Sequence, residues 1–367
     1  MNMQKTSLHT YFERIPDPRL NRNKKHLLCD IVILSILGVL CGAESWDAIE
    51  LFGKTKLEFL KTILKLPNGI PSHDTINRVF SLISPQSFER MFVEWTQSLK
   101  NADIGREVIA IDGKTVKGSK DGFHEIRPIH MVSAWASDNG LVLGQLKVDM
   151  KSNEITAIPL LLDMLDIKGE IVTIDAMGTQ TKIADKIIEN EADYILSVKG
   201  NQKEMLEQVE HAFERQKADS EDETVEKGHG RIETRRCGVI RDLKFIDGRE
   251  RWTNMASIVK VEAKREVGKK TEEQVRYYIS SMKGSASEFN RHIRAHWGVE
   301  NSLHWTLDVV FNEDRQRKRT GNSAHNFSFI RKIGINLLKK DKSKGSLVSK
   351  RLKAGWNNKF LLDLLGI

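Results

Sequence analysis

Apolar side chains recur at helical spacing through the first hundred residues. Leu27, Leu28, Ile31, Leu34, Ile36 and Leu40 form one wide apolar face, which predicts a helix beginning near Lys25 that packs into a core. Its most apolar stretch, Ile31 to Cys41, is 11 residues long. A membrane span needs about 20, so a buried core helix is expected there. The N-terminus lacks the pattern of a signal peptide. The run from Leu66 to Pro71, with its Pro-Asn-Gly centre, predicts a turn. Ser72 or Asp74 can then cap a helix through Thr75, Ile76, Val79 and Phe80. A short helix, a turn and a polar-started helix fit a DNA-reading helix-turn-helix, and equally any small helical domain.

Near Arg106 the period changes from helical to strand-like. Val108 to Ile111 is a short apolar run ending at Asp112-Gly113. His130 to Ala136 and Leu141 to Val148 flank Ser137-Asp138-Asn139-Gly140, and Asn-Gly between apolar runs predicts a hairpin. A helix is expected over Glu154 to Leu165, a strand over Ile171 to Ile174 ending at Asp175, a helix over Lys182 to Glu191, and a strand over Tyr194 to Val198. Three sequential strands, then helix, strand, helix and strand, make a mixed sheet with helices on its faces. Residues 201–285 break that rhythm. They hold a charged helix around Glu204 to Gln216, an acidic polar loop from Asp219 to Glu226, and short strands over Ile232 to Val239, Ala256 to Val261 and Gln274 to Ile279. They read as an insertion rather than a continuation. A helix then starts near Ser285, with Glu288 completing a capping box, and runs through Trp297, Glu300, Leu303 and Leu307.

The chain has 367 residues, which suggests two domains or one core with an insertion. Its 58 Lys and Arg against 50 Asp and Glu give a net charge of +8. That charge is uneven: +3 over residues 1–106, −4 over 107–285 and +9 over 286–367. The basic end points to a polyanion, nucleic acid first, or to a solvated basic tail. The three cysteines, Cys29, Cys41 and Cys237, form no C-x-x-C pair. A disulfide framework or zinc finger is therefore not expected, and a reducing cytoplasm fits.

Asp112 and Asp175 each follow an apolar run. Ligands of open α/β sheets bind beyond the carboxyl ends of strands, although Asp also simply starts turns. Two such acids on neighbouring strands repel each other, and a divalent cation relieves the repulsion. A third acid lies on the late helix, where His292, His296, Glu300, His304 and Asp308 recur every four residues as a ladder. Three carboxylates from two strands and a helix can hold two Mg²⁺ ions for phosphoryl transfer. His292 and His296 have a zinc-ligand spacing, but there is no H-E-x-x-H, and zinc leaves the aspartates unexplained. Asp112-Gly113-Lys114-Thr115 mimics the end of a P-loop. Val108 stands where its first glycine is required, so that reading fails.

Three runs carry a family resemblance. Ile109-Ala110-Ile111-Asp112-Gly113-Lys114 resembles the first-aspartate motif of DDE transposases, and Thr173-Ile174-Asp175-Ala176-Met177 the second. His296 to Asn301, with Leu303 to Asp308, resembles the third. The chain is most similar to the H-repeat-associated, Rhs-linked group of bacterial insertion-sequence transposases. Pro71 to Thr75, Ser197 to Gln202, His229 to Glu233 and Glu313-Asp314-Arg315 carry the likeness across most of its length. The resemblance implies an RNase H-like mixed sheet, with Asp112, Asp175 and Glu300 as the catalytic, metal-binding triad for two Mg²⁺ ions, Mn²⁺ substituting. It implies cleavage and joining of double-stranded DNA at element ends, in a bacterial cytoplasm and on the nucleoid. Joining two ends suggests a homodimer, and no membrane partner is expected. A nuclease that joins no strands and an inactive DNA-binding remnant are the alternatives.

The wider group has a Tyr-x-x-Arg-x-x-x-Glu-x6-Lys signature. Here its positions are Ile293, His296, Glu300 and Leu307, so only the glutamate is kept. His296, His304 or nearby basic residues are candidates for the missing phosphate contacts. Lys114, Lys117 and Lys199 follow strands that end near the acids, Arg231 and Arg235 lie in the insertion, and Arg315, Arg317, Lys318 and Arg319 form a cluster beyond the glutamate helix. All are candidate DNA contacts, with a solvated side chain as the alternative for each. Trp297 either stacks on a base or belongs to the core. The expected division is a helical N-terminal domain at 1–105, catalytic core at 106–200, a partly β insertion at 201–285, the last core helices at 286–340, and a basic tail with a short helix at 341–367.

Overall fold

The computed structural model describes residues 7–101, 104–123, 125, 127–148, 153–228 and 230–367. His229, part of one sequence motif, lies outside the described residues.

The first part of the chain is helical, with α1 (Ser7–Phe12), α2 (Leu28–Leu40), α3 (Trp46–Thr55), α4 (Leu57–Leu60), α5 (His73–Leu82) and α6 (Pro85–Gln97). The apolar run of α2 is buried on nearly every side, which makes it a core helix. Asp30 is buried within it because its carboxylate accepts the backbone N–H groups of Leu66 at 2.8 Å and Lys65 at 3.4 Å. Ser72, not Asp74, caps α5 by accepting the N–H of Thr75. Among the described residues, no helix is long and apolar enough to cross a membrane.

Among the described residues, nine strands form one mixed, mostly antiparallel sheet: β1 (Val108–Val116), β2 (Ile129–Ala136), β3 (Leu141–Val148), β4 (Ile171–Ile174), β5 (Asp193–Val198), β6 (Ser220–Gly228), β7 (Arg231–Ile240), β8 (Ser257–Val267) and β9 (Lys270–Ser280). Their order is β3-β2-β1-β4-β5-β9-β8-β7-β6. β4 runs parallel to both β1 and β5. The β2–β3 hairpin turns at Asn139-Gly140, with Gly140 at φ 66°. Between and after the strands come α7 (Glu154–Met164), α8 (Thr181–Glu189), α9 (Lys203–Arg215), α10 (Ala286–His296), α11 (Trp305–Val309), α12 (Ser323–Lys340), α13 (Leu347–Trp356) and α14 (Asn358–Leu365).

The sheet separates two helical layers. One face, through Ile109, Ile111, Val132 and Ala134, packs on α7, α8 and α9. The other face, through Ala110, Trp135 and Val142, joins a core shared by the early helices and α12 to α14. The N-terminal helices therefore share one core with α12 to α14.

Four features differ from the sequence reading. First, β1 does not stop at Ile111. β2 pairs with it along its length, as far as Val116 opposite Ile129, so Asp112 lies inside a strand. The parallel pairing with β4 does end at Ile111 opposite Ile174, so Asp112 still begins where that pairing stops. Second, Asp219 to Glu226 is not a loop. β7 pairs with Ser220–Gly228 residue for residue, making it the charged edge strand β6, and charge is how an edge strand resists further pairing. Third, residues 201–285 continue the sheet, because β9 pairs with β5. Fourth, residues 341–367 are not a tail. α13 and α14 fold onto the core, burying Ala354, Phe360, Leu361, Leu364 and Leu365.

Candidate active site

Strand alternation and register assemble the site. Ala110, Asp112 and Lys114 point to one face of β1 because side chains alternate with a period of two. Ala110 sits opposite Thr173 of β4, and Thr173 opposite Ile195 of β5. Thr173 and Asp175, Ile195, Ser197 and Lys199 therefore continue the same face. β9 adds Tyr278, opposite Ser197, and then Arg276. α10 crosses this face. Ser285 caps its start, with the N–H of Glu288 donating to the Ser285 hydroxyl and the Glu288 carboxylate accepting the N–H of Ser285. Its Phe289 and Ile293 pack on Ile195, Tyr278 and Val259.

The helical path does not continue evenly after Trp297, as the sequence reading expects. Val299–His304 is a π turn, after which α11 resumes. A π turn is a common feature of functional sites, and this one carries Glu300. Asp112, Asp175 and Glu300 line one cavity of about 110 Å³, together with Lys199, Arg276 and His296. Three distant segments thus converge at one end of the parallel strands.

The ladder on the late helix lies across the strands. The Nδ1 of His296 is 2.9 Å from the Thr173 hydroxyl, the Nδ1 of His304 is 3.5 Å from the Asp112 carboxylate, and Asp308 is 2.8 Å from the Lys114 ammonium. Burial pushes both His296 and His304 down to about 4, so both are neutral at pH 7. A neutral imidazole cannot replace the charge of an arginine. Asp112 is pushed up to about 7, first by burial and then by the charges of Asp175, Glu300 and Glu154. Asp175 is oriented by the N–H of Met177, 3.1 Å from its carboxylate.

Behind Asp112 the packing is tight. A Cβ on Gly113 would fall 2.1 Å from the Glu154 carboxylate and 2.6 Å from His130 Nε2. Those two side chains are themselves 2.5 Å apart. A Cβ on Gly118 would fall 2.2 Å from the Gln316 carbonyl oxygen, because the end of β1 lies against the turn Glu313–Arg315.

The remaining candidates divide by environment. Lys114 is nearly buried, 2.8 to 3.4 Å from Asp308, Asp314 and Glu313. Burial disfavours its charge, but these acids offset that and raise it. Lys117 is exposed, with its ammonium 3.1 Å from Asp314. Lys199 is exposed at the cavity. Arg231 and Arg235 are both paired with Glu233. Past the turn the chain is extended and alternates: Arg315, Arg317 and Arg319 are exposed, whereas Gln316 and Lys318 are buried. The Lys318 ammonium donates to the Glu44 carbonyl and lies 3.7 Å from the Phe327 ring centre, so it is committed inside the fold. Ile293 and Leu307 are core residues, which accounts for the absence of Tyr and Lys there. The sequence reading did not single out Arg276. Only the pairing of β9 with β5 places it at the cavity.

The donor set suits a hard divalent cation, with three carboxylates around one cavity and one held toward its protonated form by burial and like charge. Among the described residues, no three His, Cys, Asp or Glu side chains converge closely enough to hold a metal ion as they stand.

Comparison with known proteins shows the family. The family described as "Transposase DDE domain" matches residues 103–337, and the one described as "DDE_Tnp_1-associated" matches residues 9–96. "Putative transposase YncI" of Escherichia coli O157:H7 is 44% identical, across 98% of this chain and 94% of its own length. "H repeat-associated putative transposase YhhI" of Escherichia coli strain K12 is also 44% identical, across 99% of this chain and 98% of its own. "Inactive transposase YbfQ" of the same strain is 46% identical over only 22% of this chain.

Proposed function

Since this chain belongs to the DDE transposase family, we propose that it cleaves DNA at the ends of its element and joins the freed 3′ ends to target DNA. The observation that carries this reading is the convergence of Asp112, Asp175 and Glu300 on one cavity. The β1–β5 part of the sheet with α7, α8 and α10 is then an RNase H-like core. Asp112, Asp175 and Glu300 would hold two Mg²⁺ ions, or Mn²⁺. When bound, these supply the charge that activates the attacking oxygen and stabilises the leaving one.

The protein's own groups position the reaction. Asp112 is fixed by the β1–β2 ladder and Asp175 by the N–H of Met177. Glu300 sits on the π turn, exposed, and lines the cavity with the other two. His304 stays neutral beside Asp112 and adds no competing positive charge. Arg315, Arg317 and Arg319 face outward together and hold the DNA backbone, each neutralising a phosphate. Two ends are joined in one event, so the active form is a homodimer on DNA, acting in the cytoplasm at the nucleoid.

The test uses a plasmid carrying the coding region with its flanking DNA. The purified protein should cut it with Mg²⁺ or Mn²⁺ and leave it intact in EDTA. Asp112→Asn should bind the plasmid and not cut it. Full cleavage by Asp112→Asn refutes the triad, and cleavage without joining of pre-cut ends reduces the activity to that of a nuclease.

A further inference from the structure

Arg276 is held by Trp297, Gln274 and Tyr278 and has no carboxylate partner among the described residues. It reaches the acid cavity from β9 and lines it beside Asp112, Asp175 and Glu300. Among the described residues it nevertheless forms no ion pair with them or with any other carboxylate. Its guanidinium carbon lies 4.1 Å from the ring centre of Trp297, and its Nη2 donates to Gln274 at 2.6 Å. Stacking on an indole holds a guanidinium in place without neutralising it. Nearby arginines contrast with it. Arg231, Arg235 and Arg294 are all paired with Glu233 or Glu226.

Arg276 and Trp297 also border a second space. A groove of about 540 Å³ runs between β7, β8 and β9 on one side and the end of α10 on the other. Six basic side chains line it against two acidic ones, and Arg276 and Trp297 line both it and the acid cavity. A groove lined mainly by basic side chains therefore borders, at Arg276 and Trp297, the cavity that carries the three carboxylates.

We propose that Arg276 binds a phosphate of the DNA strand being cut, next to the three carboxylates, and that this strand continues along the β7–β9 groove. Arg276 then supplies from β9 the guanidinium that His296 cannot supply from the glutamate helix. Trp297 is a positioning residue that aims it. The inference rests on the cleavage reading above.

The experiment uses the full chain with Arg276→Ala and Arg276→Lys, and two readouts. In the first, a short labelled duplex of arbitrary sequence is bound without metal over a salt series. In the second, the flanked plasmid is cut with Mg²⁺. Arg276→Ala should lower the salt slope by about one phosphate contact and slow cleavage on the order of 10²-fold, as for other lost transition-state donors. Free guanidinium ion should restore part of that cleavage. Arg276→Lys should keep the salt slope while cutting more slowly than wild type, because an ammonium lacks the planar fork. An unchanged slope and rate in Arg276→Ala overturns the inference while leaving the triad intact. Lost cleavage with an unchanged slope and no guanidinium rescue marks Arg276 as structural and overturns it as well. If the wild type cuts nothing, the cleavage reading falls, and the salt slope alone decides whether Arg276 meets a phosphate.

Discussion

Asp112→Asn should stabilise the folded protein at neutral pH while removing its activity. In the fold, burial first, and then the charges of Asp175, Glu300 and Glu154, raise Asp112 from an ordinary 3.8 to about 7. The unfolded carboxyl ionises near 3.8, so between these values the folded state binds more protons than the unfolded one. Stability is therefore lost as pH rises through that window, and the loss is complete above about 7. At about 1.4 kcal/mol per pH unit, the full window costs about 4 kcal/mol, and the step from pH 5 to pH 7 about 3 kcal/mol. Asparagine keeps an acceptor for the N–H of Gly113 and carries no charge. The assay is thermal unfolding of both proteins in EDTA across that pH range. The variant should gain on the wild type as pH rises, by several degrees at roughly 2 °C per kcal/mol for a large domain. Mg²⁺ should then raise the wild-type melting temperature more than that of the variant, because a bound cation offsets the same repulsion. A gap that does not widen with pH refutes the assignment of Asp112 as a buried acid crowded by like charge.

Other perturbations follow from the same geometry. Lys114→Met strips a nearly buried ammonium from Asp308, Asp314 and Glu313. It should cost about 3 kcal/mol in urea unfolding, as for other broken buried pairs, and an unchanged midpoint would place Lys114 in solvent. Gly113→Ala puts a methyl against Glu154 and His130; a loss of about 1–3 kcal/mol, with reduced cleavage, is expected, measured by thermal unfolding and the plasmid assay. Replacing Arg315, Arg317 and Arg319 together by Gln should flatten the DNA salt slope by about three contacts and leave the melting temperature unchanged, whereas Lys318→Gln should lower it. Ser285→Ala removes the cap of α10 and should cost about 1 kcal/mol, seen as a lower urea midpoint.

Local chemistry made much of the molecule legible in advance. The Asn139-Gly140 hairpin, the Ser285 cap and the strands leading to Asp112 and Asp175 depend on neighbours in sequence, and the structure has them. The acidic stretch from Asp219 to Glu226 reads as loop because its charges oppose burial. It becomes a strand only because β7 offers it a full ladder. Lys318 reads as part of a basic cluster, yet extended backbone turns it inward beneath Trp46 and Phe327.

The sequence by itself determined the apolar faces, the caps and the turns, because each is set by residue type and short-range spacing. The tertiary structure decided which of these meet. Parallel register placed Asp112 beside Asp175, and the π turn brought Glu300 over them. The pairing of β9 with β5 carried Arg276 to the same cavity. Those encounters depend on strand pairing between distant segments, and a one-residue slip in any pairing would turn the same side chains to the opposite face.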